Sequence, residues 1–178
     1  MKYRALPCCH QRIRGVRCPV SSYEKLVKRC PAEPKTIGDH LRKRRIELGL
    51  EQTEVAERLG VCRSSLQHWE QNRGVPMPKQ MPAIIRFLGY VPFAEEPGFG
   101  GRVAYLRKCA GLTQEELSLH AGCSEDLIWR WEGGRNPPRN LNLVCVTGVL
   151  GETLQRQGIA PFVGDPREII LGTGSAIC

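Results

Sequence analysis

Gly49-Leu50-Glu51-Gln52 recurs 62 residues later as Gly111-Leu112-Thr113-Gln114. The same offset pairs Arg45 with Arg107, Glu54 with Glu116, Gly60 with Gly122 and Trp69-Glu70 with Trp131-Glu132. It also pairs Arg73 with Arg135, Pro76 with Pro138 and Leu88-Gly89 with Leu150-Gly151, giving 12 identities from 41 to 89 without a gap. A self-match of this length is one supersecondary unit used twice.

The first copy reads as short helices. Thr36, with Asp39 three residues on, marks a helix start. Ile37, Leu41 and Leu48 give that helix an apolar stripe, and Gly49 ends it. Gln52 to Leu59 is a second helix burying Val55, Ala56 and Leu59. Gly60-Val61-Cys62 is a tight turn, and Arg63 to Gln71 is a third helix burying Leu66 and Trp69. A loop from Arg73 to Pro78 precedes a last helix that ends at Leu88 and Gly89. Helices joined by a tight Gly-containing turn predict a helix-turn-helix.

The run Arg45, Gly49-Leu50-Glu51-Gln52-Thr53-Glu54-Val55-Ala56, Gly60-Val61, Trp69-Glu70, Arg73, Pro76 resembles the lambda-repressor-like, Cro-type family, also called the xenobiotic-response-element family. The resemblance covers about 36–91 and again 99–151, and neither end of the chain. It implies an all-α fold, two tandem bundles of four to five short helices each, with the third helix of a bundle in the DNA major groove. It implies structural ion pairs Arg45–Glu70 and Arg107–Glu132. It also implies that Gln52, and more weakly Gln114, contacts a phosphate and buttresses the recognition helix.

The expected organisation is a basic, irregular, Cys-containing arm over 1–35, a DNA-reading domain over 36–91 and a turn-rich linker over 92–98. A second domain over 99–151 and a flexible tail over 152–178 follow. Phe93 and Phe99 in and beside the linker are candidates to dock on the domains. The net charge is +8: residues 1–35 carry +7, 36–91 +3, 92–98 −2, 99–151 +1 and 152–178 −1. That balance suits a polyanion partner. Nine cysteines at irregular spacing do not read as a disulfide framework. No secretory signal and no apolar stretch of membrane-spanning length is visible. These features predict a reduced, cytoplasmic, nucleoid-associated protein without membrane contact.

No carboxylate cluster, nucleophile–base pair or phosphate-binding Gly loop is present, so no enzymatic activity, cofactor or small-molecule ligand is expected. Cys8, Cys9, His10, Cys18 and Cys30 lack the paired spacing of structural zinc, and no metal site is assigned. The arm reads either as a strand of charge following the DNA backbone or as a plain tail.

The two copies differ where a recognition helix faces DNA. The first presents Arg63, Ser64, Ser65, Gln67 and His68, all able to hydrogen-bond base edges. Arg63 suits guanine and Gln67 adenine. Arg42, Arg44 and Arg73 join Gln52 as phosphate contacts, which position without reading. The second copy has Glu125, Asp126 and Trp129 there, with Gln114, Arg130 and Arg135 as weaker candidates. It also follows helix rules better: Ser124 as cap, acids in the first turn and a capping box over Thr113–Glu116. The first copy breaks those rules at Glu51, Cys62 and Arg63, and such breaks concentrate where function requires them. DNA reading is therefore placed in the first copy, in a sequence-specific regulator of bacterial or phage type. The alternative is a protein-interaction module, antitoxin-like or co-activator-like, on the same scaffold. Homodimerisation is compatible with either reading.

Overall fold

The computed structural model describes residues 33–135 and 140–159. Residues 1–32 of the arm, with its cysteines, residues 136–139 including Pro138, and the chain from 160 onward lie outside the described residues. Within them the fold is all-helical. The first copy contains α1 (Ile37–Glu47), α2 (Gln52–Leu59), α3 (Arg63–Glu70), a 3₁₀ turn (Pro78–Gln80) and α4 (Met81–Leu88). The second contains α5 (Phe99–Ala110), α6 (Gln114–Ala121), α7 (Glu125–Glu132) and α8 (Asn140–Arg156).

Local chemistry sets these boundaries. Thr36 Oγ1 accepts the Asp39 N–H at 3.1 Å while Asp39 Oδ2 accepts the Thr36 N–H at 3.2 Å, a complete capping box. Thr113 and Glu116 repeat it at 3.0 and 2.9 Å. The stripe expected on α1 differs from the observed one. Leu41 is buried, but Leu48 is 44% exposed and Ile46 lies inside instead. The helix stops at Glu47, so Leu48 sits at the C-cap and is carried outward as Gly49 turns to φ 66°.

Each copy has its own core. Leu41, Val55, Leu66, Trp69, Ile84 and Leu88 fill the first. Val103, Leu106, Leu117, Ile128, Trp131, Val146 and Leu150 fill the second. A feature just outside the matched segment makes both possible. Gly38 and Gly100, again 62 apart, bring the first helix of each copy against the end of its third. A Cβ at Gly38 would lie 1.8 Å from the Trp69 carbonyl oxygen, and one at Gly100 2.1 Å from that of Trp131.

The two copies are packed together. α4 is apolar on two faces: Ile84 and Leu88 enter the first core, while Ile85 enters the second. Phe93 packs against both cores, its ring 5.5 Å from that of Tyr105, and Pro92 is buried. Phe99 meets Trp131 edge-to-face at 6.1 Å. Glu95 and Arg102 form an ion pair at the start of α5.

Residues 152–159, expected to belong to a flexible tail, are helical or packed on the second core, and the rest of that expected segment lies outside the described residues. α8 runs through Arg156, and Leu154 and Ile159 are buried in the second core. Val146, Leu150 and Leu154 recur every fourth residue, so the inward stripe gains a turn beyond its counterpart α4. Gly151 is inside the helix, and Gly158, at φ 64°, takes the left-handed position that Gly89 takes after α4.

Gly38→Ala and Gly100→Ala are each expected to destabilise the chain by roughly 1–3 kcal/mol or more, because a methyl is forced onto a backbone carbonyl. Gly148→Ala, within α8 where a Cβ meets nothing within 4 Å, is expected to stabilise it by about 0.5–1 kcal/mol. Urea unfolding of the three variants checks both signs.

Candidate nucleic-acid interface

The site is built on a buried carboxylate. Glu70, at the end of α3, is 5% exposed. Arg45 Nε donates to its Oε1 at 2.6 Å and Arg45 Nη2 to its Oε2 at 2.8 Å. Gln52 Nε2 donates to the same Oε2 at 3.0 Å, and Arg45 Nη1 reaches the Leu50 carbonyl at 3.2 Å. A forked, charge-assisted pair of this kind is strong because both charges are held in fixed geometry. It joins α1, the turn after it, the start of α2 and the end of α3. The second copy repeats it: Arg107 binds Glu132 at 2.6 and 2.8 Å and the Leu112 carbonyl at 2.9 Å, and Gln114 binds Glu132 at 2.8 Å. Gln52 and Gln114 thus each commit one amide N–H to the third helix and keep the second.

α3 is clamped with Leu66, Trp69 and Glu70 inward. Helical periodicity then turns Arg63, Ser64, Gln67 and His68 outward, and all four are exposed. Among the described residues, Arg63, Gln67 and His68 have no side-chain hydrogen bond or ion pair. Ser65 is half-buried, its hydroxyl 2.9 Å from Cys62 Sγ, and Ser64 Oγ lies 3.2 Å from the same sulfur.

The phosphate candidates are more dispersed. Gln52 starts α2, and Arg42 and Arg44 are half-buried on α1. Arg44 approaches Glu47 at 3.9 Å, and its buried Nε has no hydrogen-bond partner among the described residues. Arg73 is exposed in the loop after α3, lining a shallow depression of about 340 Å³ with Thr36, Gly38 and Asn72.

Asn72 is a residue the sequence reading passed over. It is the only non-glycine residue at positive φ (56°) among those described. Its Oδ1 accepts the Thr36 hydroxyl at 2.6 Å and its Nδ2 donates to Asp39 Oδ1 at 3.3 Å. These bonds tie the Arg73 loop to the start of α1. The signal was present at the common offset, where Gly134 (φ 70°) occupies the matching position. Asn and Gly are the residues that tolerate this conformation.

Unit two closes the corresponding surface on itself. Arg130 pairs with Asp126 at 2.7 Å. Trp129, 52% exposed, stands where unit one has Gln67, and the Arg135 guanidinium lies 5.4 Å from its ring centre. Glu125 and Asp126 occupy the first turn of α7. Ser124 holds the N-cap backbone position, but its side chain makes no capping hydrogen bond, contrary to expectation. In unit one the break at Glu51 is milder than its residue type implies, because Glu54 Oε2 accepts the Glu51 N–H at 2.7 Å. Cys62 makes no side-chain cap.

Hydrogen bonds from the Ser64 and Ser65 hydroxyls draw the exposed Cys62 thiol down to about 7. Burial pushes Cys109 up to about 12. No group of three His, Cys, Asp or Glu residues among those described can hold a metal ion. No described helix is long and apolar enough to cross a membrane.

A family model described as helix-turn-helix matches residues 41–95, and a second, described as helix-turn-helix domain, matches 99–144. No curated protein and no solved structure gives a match.

Glu70→Ala is expected to cost about 3–5 kcal/mol, because it removes the carboxylate that Arg45 and Gln52 donate to in a partly buried site. Thermal unfolding against Glu57→Ala, an exposed control, reads this directly. Alkylation of Cys62, followed by peptide mass spectrometry, is expected to accelerate with a midpoint near pH 7. The Ser64→Ala/Ser65→Ala pair moves that midpoint upward, while Cys109 stays unreactive.

Proposed function

The chain carries, in tandem, two domains of the lambda-repressor-like, Cro-type helix-turn-helix family, and we propose that the first reads the sequence of double-stranded DNA. Helix-turn-helix domains make the chain a DNA-binding regulator in general terms. In the finer reading it is a transcriptional regulator of bacterial or phage type whose α3 enters the major groove.

The observation that carries this reading is the contrast between the two third helices. α3 is fixed from behind by Arg45–Glu70 and presents Arg63, Gln67 and His68 without partners among the described residues. In α7 and the loop after it, the cations are engaged by Asp126 and Trp129. Unpartnered polar groups on a rigid helix are free to exchange water for base edges. Arg63 takes guanine O6 and N7, and Gln67 takes adenine N6 and N7. Ser64, Ser65 and His68 complete the reading face. Gln52, through its second N–H, and Arg42, Arg44 and Arg73 contact phosphates and fix the register.

A second reading, a protein-interaction module, draws on α7. There Glu125, Asp126 and an exposed Trp129 form a face better suited to protein than to phosphate.

Selection from a random duplex pool at physiological salt is expected to enrich a defined motif. Arg63→Ala is expected to weaken binding to it by about 1–3 kcal/mol and to relax one base position. Salt-sensitive bulk binding without enrichment favours the interaction module. Unchanged base preference in Arg63→Ala removes the assignment of that residue.

A further inference from the structure

The contact between the two copies is one-sided. On unit one it uses α4 and the 3₁₀ turn before it: Ile85 enters the second core, Lys79 Nζ lies 3.1 Å from Glu116 Oε1, and Arg86 Nη1 donates to the Gln157 carbonyl at 2.9 Å. The Thr113 backbone N–H and then the Lys79 ammonium hold the Glu116 carboxyl below its usual value. On unit two the receiving surface is α5, the turn between α5 and α6, Glu116 in the first turn of α6 and Gln157 just after α8. A Cβ at Gly111 would meet the Pro82 ring at 2.8 Å and the Pro78 carbonyl at 3.1 Å.

The same positions in the other copy make no such contact. Gly49, the equal of Gly111 in sequence and conformation (φ 66° and 75°), faces open space, with nothing within 4 Å of a Cβ. Leu48 is 44% exposed, whereas its equivalent Ala110 is 1% exposed. In the opposite direction, Thr147 replaces Ile85 and is spent in its own core at 2% exposure, and Gly148 replaces Arg86. The surface that α4 offers is therefore not offered by α8.

A contact in which one surface meets a different surface is heterologous and has no two-fold axis; repeated, it extends head to tail. Here it cannot repeat, because α8 lacks the side chains that α4 uses. A palindromic operator mirrors a two-fold relation between two equivalent readers. We infer that unit two is the built-in, non-equivalent partner of unit one, so that a single chain engages a DNA site without dyad symmetry. This rests on the DNA-reading assignment of unit one.

The test combines the enriched duplex with hydroxyl-radical footprinting and light scattering of the free chain and of the complex. The expected result is a monomeric free chain and one chain per duplex. The motif is non-palindromic, and protection extends to one side only of the base that Arg63→Ala relaxes. A palindromic motif, a footprint centred on that motif with two chains per duplex, or a dimeric free chain overturns the inference and leaves unit one as a DNA reader. Absence of any enriched motif removes the reading itself and, with it, the inference.

Discussion

One carboxylate in each copy, buried at Glu70 and largely buried at Glu132, organises everything around it. Glu70 and Glu132 take three donors apiece, two from a single guanidinium and one from the amide that opens the next helix. An unpaired charge at that depth is costly, so the first helix, the turn, the second helix and the third either assemble together or not at all. This explains why Arg, Gln and Trp-Glu persist between two copies that share little else. Many of the identities fall on the clamp and on the turn glycines Gly49/Gly111 and Gly60/Gly122, while the outward face of the third helix diverges.

That division also governs how much of the molecule was legible in sequence. Helix positions followed from caps, apolar spacing and left-handed glycines, because those are local rules. The clamp was implied by the resemblance rather than by spacing, since Arg45 and Glu70 are 25 residues apart. Beside Asn72 and the outward turn of Leu48, three features of the packing escaped. The Gly38/Gly100 pair sat at the right offset but outside the run of identities, and its purpose appears only when helix meets carbonyl. The extra turn of α8 was hidden because Leu154 and Ile159 align with Pro92 and Pro97, which do not continue a helix in the first copy. The second face of α4 was hidden because Ile85 sits beside Ile84 in what reads as one apolar run.

The candidate reading face was partly legible. Arg63, Ser64, Gln67 and His68 share the exposed side of α3, as their spacing requires. Ser65, half-buried against Cys62, does not stand as free as its hydroxyl suggests. The arginines expected to touch phosphate are spread over α1 and the loop after α3, and the Asn72 side chain, with the Arg73 N–H bonded to the His68 carbonyl at 2.9 Å, holds that loop. In unit two, Trp129 and the paired cations cover the equivalent positions. Each copy thus keeps the frame and assigns its outer surface differently.

Sharing α4 has a consequence for descent. After a duplication, two identical domains can be exchanged, reordered or lost singly without harm. Once Ile85 became part of the second core, and Thr147 part of its own, that freedom ended. Excising the first copy would leave the second with a hole, and transposing the copies would bring a threonine and a glycine to a contact built for isoleucine and arginine. The two halves have become a single heritable unit, and further change in either is answerable to both.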